Sequence, residues 1–397
     1  MLIKRLHFLL AALRHTPLAW LQLFRERVRL LVGVAGIAFA ALLMFMQLGF
    51  RSMLAESAVA FHAHLDAQIV LISPASRCLT SMRPFSRRSL YRLRKIPEVS
   101  EVMPVYVGDA LWKDPTNPAS LRSIRVYGIN AEHPPLTHPG LVEHLKLIRT
   151  PDVVLYDIGS RTEFGPVVKL VREGGSVTTE VENRRIRVGG LFEMGVSFGQ
   201  DGALVTSDVN FLRLFGGRRT AGLIDIGAVR LAPGVAPRDA LAQIQRLIGP
   251  DVRAMTLAEY KDFEQNYWLT TTPIGFVFTL GAAMGFLVGV VIVYQVLYTD
   301  VANHLAQYAT LKAMGYTDRY FLGVVFQCAA ILAALGFVPG VVVSWLLYAV
   351  VRSATLLPIA MSLERCLLVL GLTFAMCFFS GAIAVRKLRE ADPADVF

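Results

Sequence analysis

Four stretches of this 397-residue chain contain no Asp, Glu, Lys or Arg: Leu30–Phe50, Leu269–Thr299, Phe321–Val351 and Cys366–Val385. A helix rises about 1.5 Å per residue, so about 20 apolar residues cross about 30 Å of hydrocarbon, and each stretch is long enough. In lipid every backbone N–H and C=O must be paired within its own segment, which predicts helices rather than strands. The 54% hydrophobic content, 18% charged content and mean hydropathy of +0.50 are too apolar for a soluble chain of this length, and the excess lies in these blocks. The predicted fold class is a membrane α-helical protein with four transmembrane helices in a 1+3 arrangement. Residues 51–268 form a large α+β extracytoplasmic domain between the first and second.

Orientation follows from the basic residues flanking the spans. Lys4, Arg5, Arg14, Arg25, Arg27 and Arg29 precede the first span against a single acid, Glu26, and Arg386, Lys387 and Arg389 follow the last. Lys312 and Arg319 lie between the second and third spans, and the short loop 352–365 carries only Arg352 and Arg365. The positive-inside rule therefore predicts cytoplasmic termini and a cytoplasmic loop 300–320, with 51–268 and 352–365 outside. Ala58-Val59-Ala60 offers a small-residue cleavage site, but a basic region of 29 residues and an apolar core of 21 exceed signal-peptide lengths, so the first span is expected to be retained.

The net charge of +10 is divided: half belongs to the cytoplasmic flanks and the rest is diluted over the outer surface. Runs such as Arg83 to Arg88 and Arg184 to Arg187 then read as solvated faces or contacts to anionic lipid, not as a nucleic-acid site. Of the four cysteines, Cys328, Cys366 and Cys377 fall in or beside spans and only Cys78 in the outer domain, so neither a disulfide framework nor a zinc spacing is expected.

Residues 1–29 place Ile3, Leu6, Leu10 and Leu13 at helical spacing among basic residues, the pattern of an amphipathic helix on the cytoplasmic membrane face. The outer domain mixes β-rich runs, Ile69 to Ile72, Ile124 to Tyr127, Val153 to Tyr156, Ile186 to Val188, Ala203 to Thr206 and Ile226 to Leu231, with helices over Ser86 to Lys95 and Arg238 to Ile248. Two subdomains are expected, with Arg51 to Leu65 continuing the first helix outward as a stalk. Residues 269–299, 321–351 and 366–385 are the later spans, and 386–397 a cytoplasmic tail. Gly281, Gly285 and Gly289 form a smooth ridge on the second span, and Gly336 and Gly340 repeat the spacing around Pro339 in the third. Such ridges let helix backbones approach closely, either within one subunit or across a homodimer seam.

No Gly is followed by Lys, which excludes a phosphate-binding P-loop. Gly195-Val196-Ser197-Phe198-Gly199 matches the Gly-x-Ser-x-Gly pattern, but that nucleophile needs a strand before it, a helix after it and a following Asp and His, and the only later histidine is His304. A glycine-rich turn is expected there. His62 and His64, two apart on a helix, point in different directions and read as a polar patch on the stalk rather than a metal site. The span interiors carry no charge, which disfavours a proton-relay transporter. Asp300 to Gly315 reads as a short helix with Asp300 at its N-terminus and Gly315 at its end, and Leu305, Tyr308, Ala309 and Leu311 on one apolar face. It either docks into the groove of a soluble partner or lies on lipid.

The run QYATLKAMGY from Gln307 to Tyr316 resembles the coupling segment of FtsX/MacB-type ABC transporter permeases, and specifically of DevC-type export permeases. The likeness extends in order to TPLAW (Thr16 to Trp20), QLGF (Gln47 to Phe50), VVLYD (Val153 to Asp157), LVTSDVNFLRLF (Leu204 to Phe215), LGFVPG (Leu335 to Gly340) and AVRKLREADPADVF (Ala384 to Phe397). The resemblance implies a non-catalytic permease subunit in the bacterial inner membrane. It would homodimerise in the lipid bilayer, recruit a separate DevA-like ABC ATPase that carries ATP and Mg, and bind no nucleic acid. Its outer domain, resembling the MacB periplasmic core, would meet a periplasmic adaptor of the DevB/HlyD-like membrane fusion type, connected to a TolC-like outer-membrane channel. Gln307, Tyr308, Leu311, Lys312, Met314 and Gly315 would form the ATPase contact. Related permeases usually carry Glu where Gln307 stands and often Asp where Asn303 stands, so a charge-assisted contact is lost here. A lipoprotein-releasing permease and a signalling permease that activates a periplasmic partner are the alternative readings, and a membrane-anchored hydrolase around Ser197 is a remote one. The resemblance leaves the substrate class open.

Overall fold

A computed structural model describes residues 26–304, 310 and 314–389 of the chain. Four helices in it are long and apolar enough to cross a membrane. They are Arg27–Ala58, Pro273–Asn303, Asp318–Thr355 and Leu363–Arg389, here the first to fourth spans. The chain divides into two compact units. One holds the spans, up to Arg51, over Phe276–Val351 and from Ile359 onward. The other is Ser52–Gly275 with Arg352–Pro358.

The span unit is organised around the first span. Ile37, Ala40, Ala41, Met44 and Phe45 are fully buried, among Val293 and Leu297 of the second span, Ala329, Leu332 and Ala333 of the third, and Met376 and Cys377 of the fourth. The glycines mark where backbones come closest. A Cβ on Gly281 would lie 2.5 Å from the Gln47 carboxamide carbon, and one on Gly285 3.1 Å from Leu43 Cβ. Gly289 lies against Ala40 and Met376, Gly336 against Ile37, and Gly340 against Ala41. All five therefore face the first span of the same chain. Interhelical hydrogen bonds reinforce the contacts: Ser380 Oγ donates to the Val290 carbonyl at 2.8 Å, and the Tyr348 hydroxyl donates to the Phe45 carbonyl.

The second unit is built on one nine-stranded sheet. Its strands are β1 (Ile69–Ile72), β3 (Val99–Lys113), β4 (Leu121–Ile129), β5 (Val153–Asp157), β6 (Val177–Val181), β7 (Arg184–Phe192), β8 (Ala203–Ser207), β10 (Ile226–Leu231) and β11 (Arg253–Thr256). Their order is β11-β1-β10-β3-β4-β8-β5-β7-β6, and β2 (Phe85–Ser86) pairs with β9 (Leu223–Ile224) separately. Neighbours are antiparallel except β4 with β8 and β5 with β7. The expectation of two subdomains is corrected by this continuity. β3, 15 residues long, pairs with β10 near its start and with β4 along its second half, so the sheet has no break at which to divide.

Both faces of the sheet are covered, which explains why several strands read as unbroken apolar runs. In β1, Ile69 and Leu71 join one core with Tyr106, Trp112 and Phe211, while Val70 and Ile72 join the other with Met103, Tyr127 and Tyr260. Helices Arg87–Arg92, Asp208–Phe215 and Pro237–Leu247 contribute to the first core, and Ala60–Ala63 and Leu257–Asn266 to the second. Serine N-caps start two of them: Ser86 Oγ accepts from Arg88 N and Ser207 Oγ from Asn210 N.

Gly336→Ala would place its methyl carbon 2.6 Å from Ile37 Cβ and 3.2 Å from the Val34 carbonyl oxygen, neither at the end of a flexible side chain. The expected cost is about 1–3 kcal/mol of overpacking, read as a lower thermal midpoint in detergent. Gly371→Ala, with no heavy atom within 4 Å, is the matched substitution expected to leave the midpoint unchanged.

Candidate functional site

The end of the second span and the start of the third frame the segment singled out by sequence. Of its residues, Gln307, Tyr308, Leu311 and Lys312 lie outside those described. Met314 is 65% exposed and its N–H donates to the Thr310 carbonyl at 3.1 Å. Gly315 follows with φ of +99°, the left-handed conformation in which glycine carries no steric penalty. Tyr316 and Tyr320 then bring their rings to 4.9 Å between centroids.

Asp300 is not the first residue of a separate helix, as expected, but lies in the last turn of the second span, Pro273–Asn303. No glycine or proline follows Gly289 within that helix to stop it, so the backbone ladder continues through Asp300. A carboxylate near a helix C-terminus opposes the helix dipole. Arg29 of the first span offsets this, with Nη1 3.4 Å from Asp300 Oδ1 and 2.5 Å from Glu26 Oε2. The His304 ring stands one turn on, Nδ1 being 2.8 Å from the Asp300 carbonyl and 3.7 Å from its Oδ1. Glu26, Arg29, Asp300 and His304 thus stand together at one end of the bundle. An open groove of about 870 Å³ beside them is lined by Arg27, Arg29, Val32, Ile292, Gln295 and Thr299.

A second polar cluster lies inside the domain. His62 is corrected from a surface patch to a core position: it is fully buried, while His64 is exposed with its ring 4.5 Å from that of His138. His62 meets Tyr260 at 4.4 Å between centroids, and its Nε2 stands 3.9 Å from Glu264 Oε2. Glu264 is itself buried. Its Oε2 accepts from Leu79 N at 2.8 Å and its Oε1 from the Trp268 indole N–H at 3.0 Å. Burial pushes the Glu264 carboxyl up to about 7, against the two N–H donors and Arg125. Burial and the nearby Lys261 push His62 down to about 3, so the pair is not ionic at neutral pH. Sequence reading passed over this helix, although Thr256-Leu257-Ala258-Glu259 is a capping box, which the structure closes with bonds of 3.2 and 2.8 Å.

Ser197 sits in a tight turn, its N–H donating to the Gln200 carbonyl at 2.9 Å and its Oγ accepting from Gly199 N at 3.2 Å. The buried Asp157 carboxylate anchors the turn by accepting from Met194 N and Gly195 N at 2.8 and 3.0 Å. Strand β8 follows, so the strand-to-helix elbow of a hydrolase is not formed here. All four cysteines are free, and no group of three His, Cys, Asp or Glu suited to a metal occurs among the described residues.

Residues 279–393, from the second span through the fourth, match the family described as FtsX-like permease C-terminal. The four helices of spanning length are those of a membrane protein, and its C-terminal part is similar to that permease family. No curated protein matches the sequence. Among solved structures the chain is similar to the periplasmic region of MacB from Actinobacillus actinomycetemcomitans, at 14% identity and a TM-score of 0.34, over 51% of this chain and 94% of that one. It is also similar to the extracellular domain of the noncanonic ABC-type transporter YknZ from Gram-positive bacteria, at 13% identity and a TM-score of 0.34, over 47% and 99%. A domain of a permease protein from Porphyromonas gingivalis gives 13% identity and a TM-score of 0.29, over 49% and 90%.

Arg29→Met removes the permanent cation facing Asp300 and leaves the buried carboxylate with only the His304 ring beside it. Because Arg29 is partly exposed, the expected loss is about 1–3 kcal/mol, less than for a fully buried pair. Thermal unfolding in detergent checks it, and a further Asp300→Asn change in the same chain is expected to recover most of the loss.

Proposed function

We propose that the chain is the permease subunit of a tripartite ABC exporter and that it works by transmitting motion. A separate ATPase dimer, holding ATP and Mg, binds the segment around Gln307, Tyr308, Leu311, Lys312, Met314 and Gly315. Two copies of the chain pair in the bacterial inner membrane with both termini cytoplasmic. The domain of residues 51–268 stands outside and engages a periplasmic adaptor that leads to an outer-membrane channel. Closure of the ATPase pushes on the end of the second span, and the first and second spans pass the displacement to the domain inserted between them.

The observation that carries this reading is the FtsX-like permease match over 279–393, which takes in the described part of the segment, Met314 and Gly315. Span packing supports it physically. Gly36 against Ile292, Gly285 against Leu43 and Gly289 against Ala40 hold the first and second spans together along three turns. A displacement of one is therefore shared by the other. Charged groups collect at the span ends, at Glu26, Arg29 and Asp300, rather than along a path through the bundle. That suits a transmitter better than a polar conduit.

Leu311→Asp puts a charge on the apolar face of the proposed ATPase contact. The expected outcome is loss of ATPase stimulation and of export, with normal membrane insertion and normal thermal stability of the purified permease. Undiminished export in that variant, measured with the ATPase and adaptor co-expressed, rejects the proposed coupling.

A further inference from the structure

At the start of the fourth span the span unit holds a buried cation. Arg365, in the first turn of Leu363–Arg389, is only 7% exposed. Its Cζ lies 5.7 Å from the centroid of the Tyr348 ring on the third span. Nη1 donates to the Ala360 carbonyl at 2.7 Å and to the Tyr348 hydroxyl at 3.5 Å. That hydroxyl donates in turn to the Phe45 carbonyl of the first span, beside Gly49, where a Cβ would collide with it. The first, third and fourth spans thus fix the tyrosine ring and one edge of the guanidinium.

The other edge is unanswered. An arginine side chain carries five N–H donors and keeps its charge in a protein. Among the described residues, Nε and Nη2 of Arg365 meet no acceptor, and no carboxylate pairs with the group. Neither nitrogen is sealed from the surface. Glu364 is exposed, and adjacent side chains on a helix diverge by about 100°, so it does not fill the place. A carbonyl, a hydroxyl and an aromatic face offset only part of the cost of taking a cation out of water. The helix N-terminus adds to the positive potential instead of relieving it. Nε and Nη2 together form the side-on fork that grips two oxygens at once. Arg184 uses the same pair of nitrogens on the Asp152 carboxylate, at 2.6 and 3.1 Å.

We propose that the free fork of Arg365 binds the phosphodiester of a membrane phospholipid whose acyl chains lie along the fourth span. A phosphodiester presents two unesterified oxygens, which suit Nε and Nη2. It is also the anion that a bilayer supplies at the level where a span begins. The surface beside Arg365 fits the rest of such a molecule, because Leu363, Leu367 and Leu368 are each more than half exposed. A soluble anion would leave those side chains uncovered. Binding supplies the missing negative charge at the point where Tyr348 ties the first and third spans to the fourth, so the lipid becomes part of their packing. The site is confined to the span unit and does not depend on the transmission of motion proposed above.

Thermal unfolding of the delipidated full-length chain in dodecyl maltoside tests it. The probes are dioleoyl phosphatidylglycerol, dioleoyl glycerol, which has the same chains and no phosphate, and inorganic phosphate. The phospholipid is expected to raise the midpoint by about 3–5 °C when present at about a hundredfold excess over its dissociation constant, and the other two to leave it in place. Arg365→Gln keeps a donor for the Ala360 carbonyl but loses the fork and the charge. It is expected to need at least about tenfold more phospholipid for the same shift. Arg27→Gln, at the first span's other end, is expected to respond as the wild type does. An equal shift with dioleoyl glycerol, or with inorganic phosphate, overturns the lipid phosphate as the ligand. A lower lipid-free midpoint in Arg365→Gln with an undiminished lipid-induced shift reduces Arg365 to a packing role and overturns the site. Should Arg365→Gln not fold, Arg365→Lys decides, since it keeps the charge without the fork. About tenfold weaker response supports the site, and an unchanged one overturns it.

Discussion

The close approach of backbones at glycine is the contact on which the span unit depends. Lipid offers no hydrophobic gain when one apolar helix meets another, so association rests on van der Waals contact, and contact is densest where a Cβ is missing. Gly33, Gly36 and Gly49 of the first span receive Val296, Ile292 and Tyr348, while Gly285 and Gly336 receive Leu43 and Ile37 in return. The first span is thus both ridge and groove. Its burial among three neighbours leaves long apolar side chains such as Leu280, Met284, Leu287 and Val291 on the outer face of the second span, where lipid is their natural solvent.

The domain obeys a different rule because water surrounds it. Its sheet hides both faces under helices, so residues on either side of each inner strand must be apolar. The few polar groups admitted to the interior are there to hold loops. Asp157 ties the Ser197 turn, Asn210 reaches the Ile148 and Thr150 carbonyls at 2.9 Å, and Asp225 receives Val107 N at 2.8 Å. Each exchanges a solvation loss for several charge-assisted or amide bonds, which keeps the balance close to neutral.

Much of the architecture was legible in the sequence for one reason: lipid and a doubly covered sheet both demand long apolar runs. The spans announce themselves by the absence of charge, and β1 and β10 were found at their true limits, Ile69–Ile72 and Ile226–Leu231. β3 was missed because Pro104 and Gly108 interrupt its pattern, although the strand runs through both, with Pro104 opposite Gly227 and Gly108 leaving room for Phe215. His62 was misplaced because histidine carries no sign of burial in sequence. Its position is decided by Tyr260 and Glu264, about two hundred residues away. Asp300 was assigned to a new helix because its side chain suits a start, whereas the uninterrupted backbone ladder and Arg29 decided otherwise.

The meeting of Ala55 with Gln265 and of His62 with Tyr260 means that the inserted domain closes on itself. Its two ends leave from one spot, so the entropy of closing roughly two hundred residues into a loop is met by contacts inside the domain. Such an insert is modular. Length added at the distal strands, or replacement of the whole sheet by another whose ends meet at the same spacing, leaves the register of the spans unchanged.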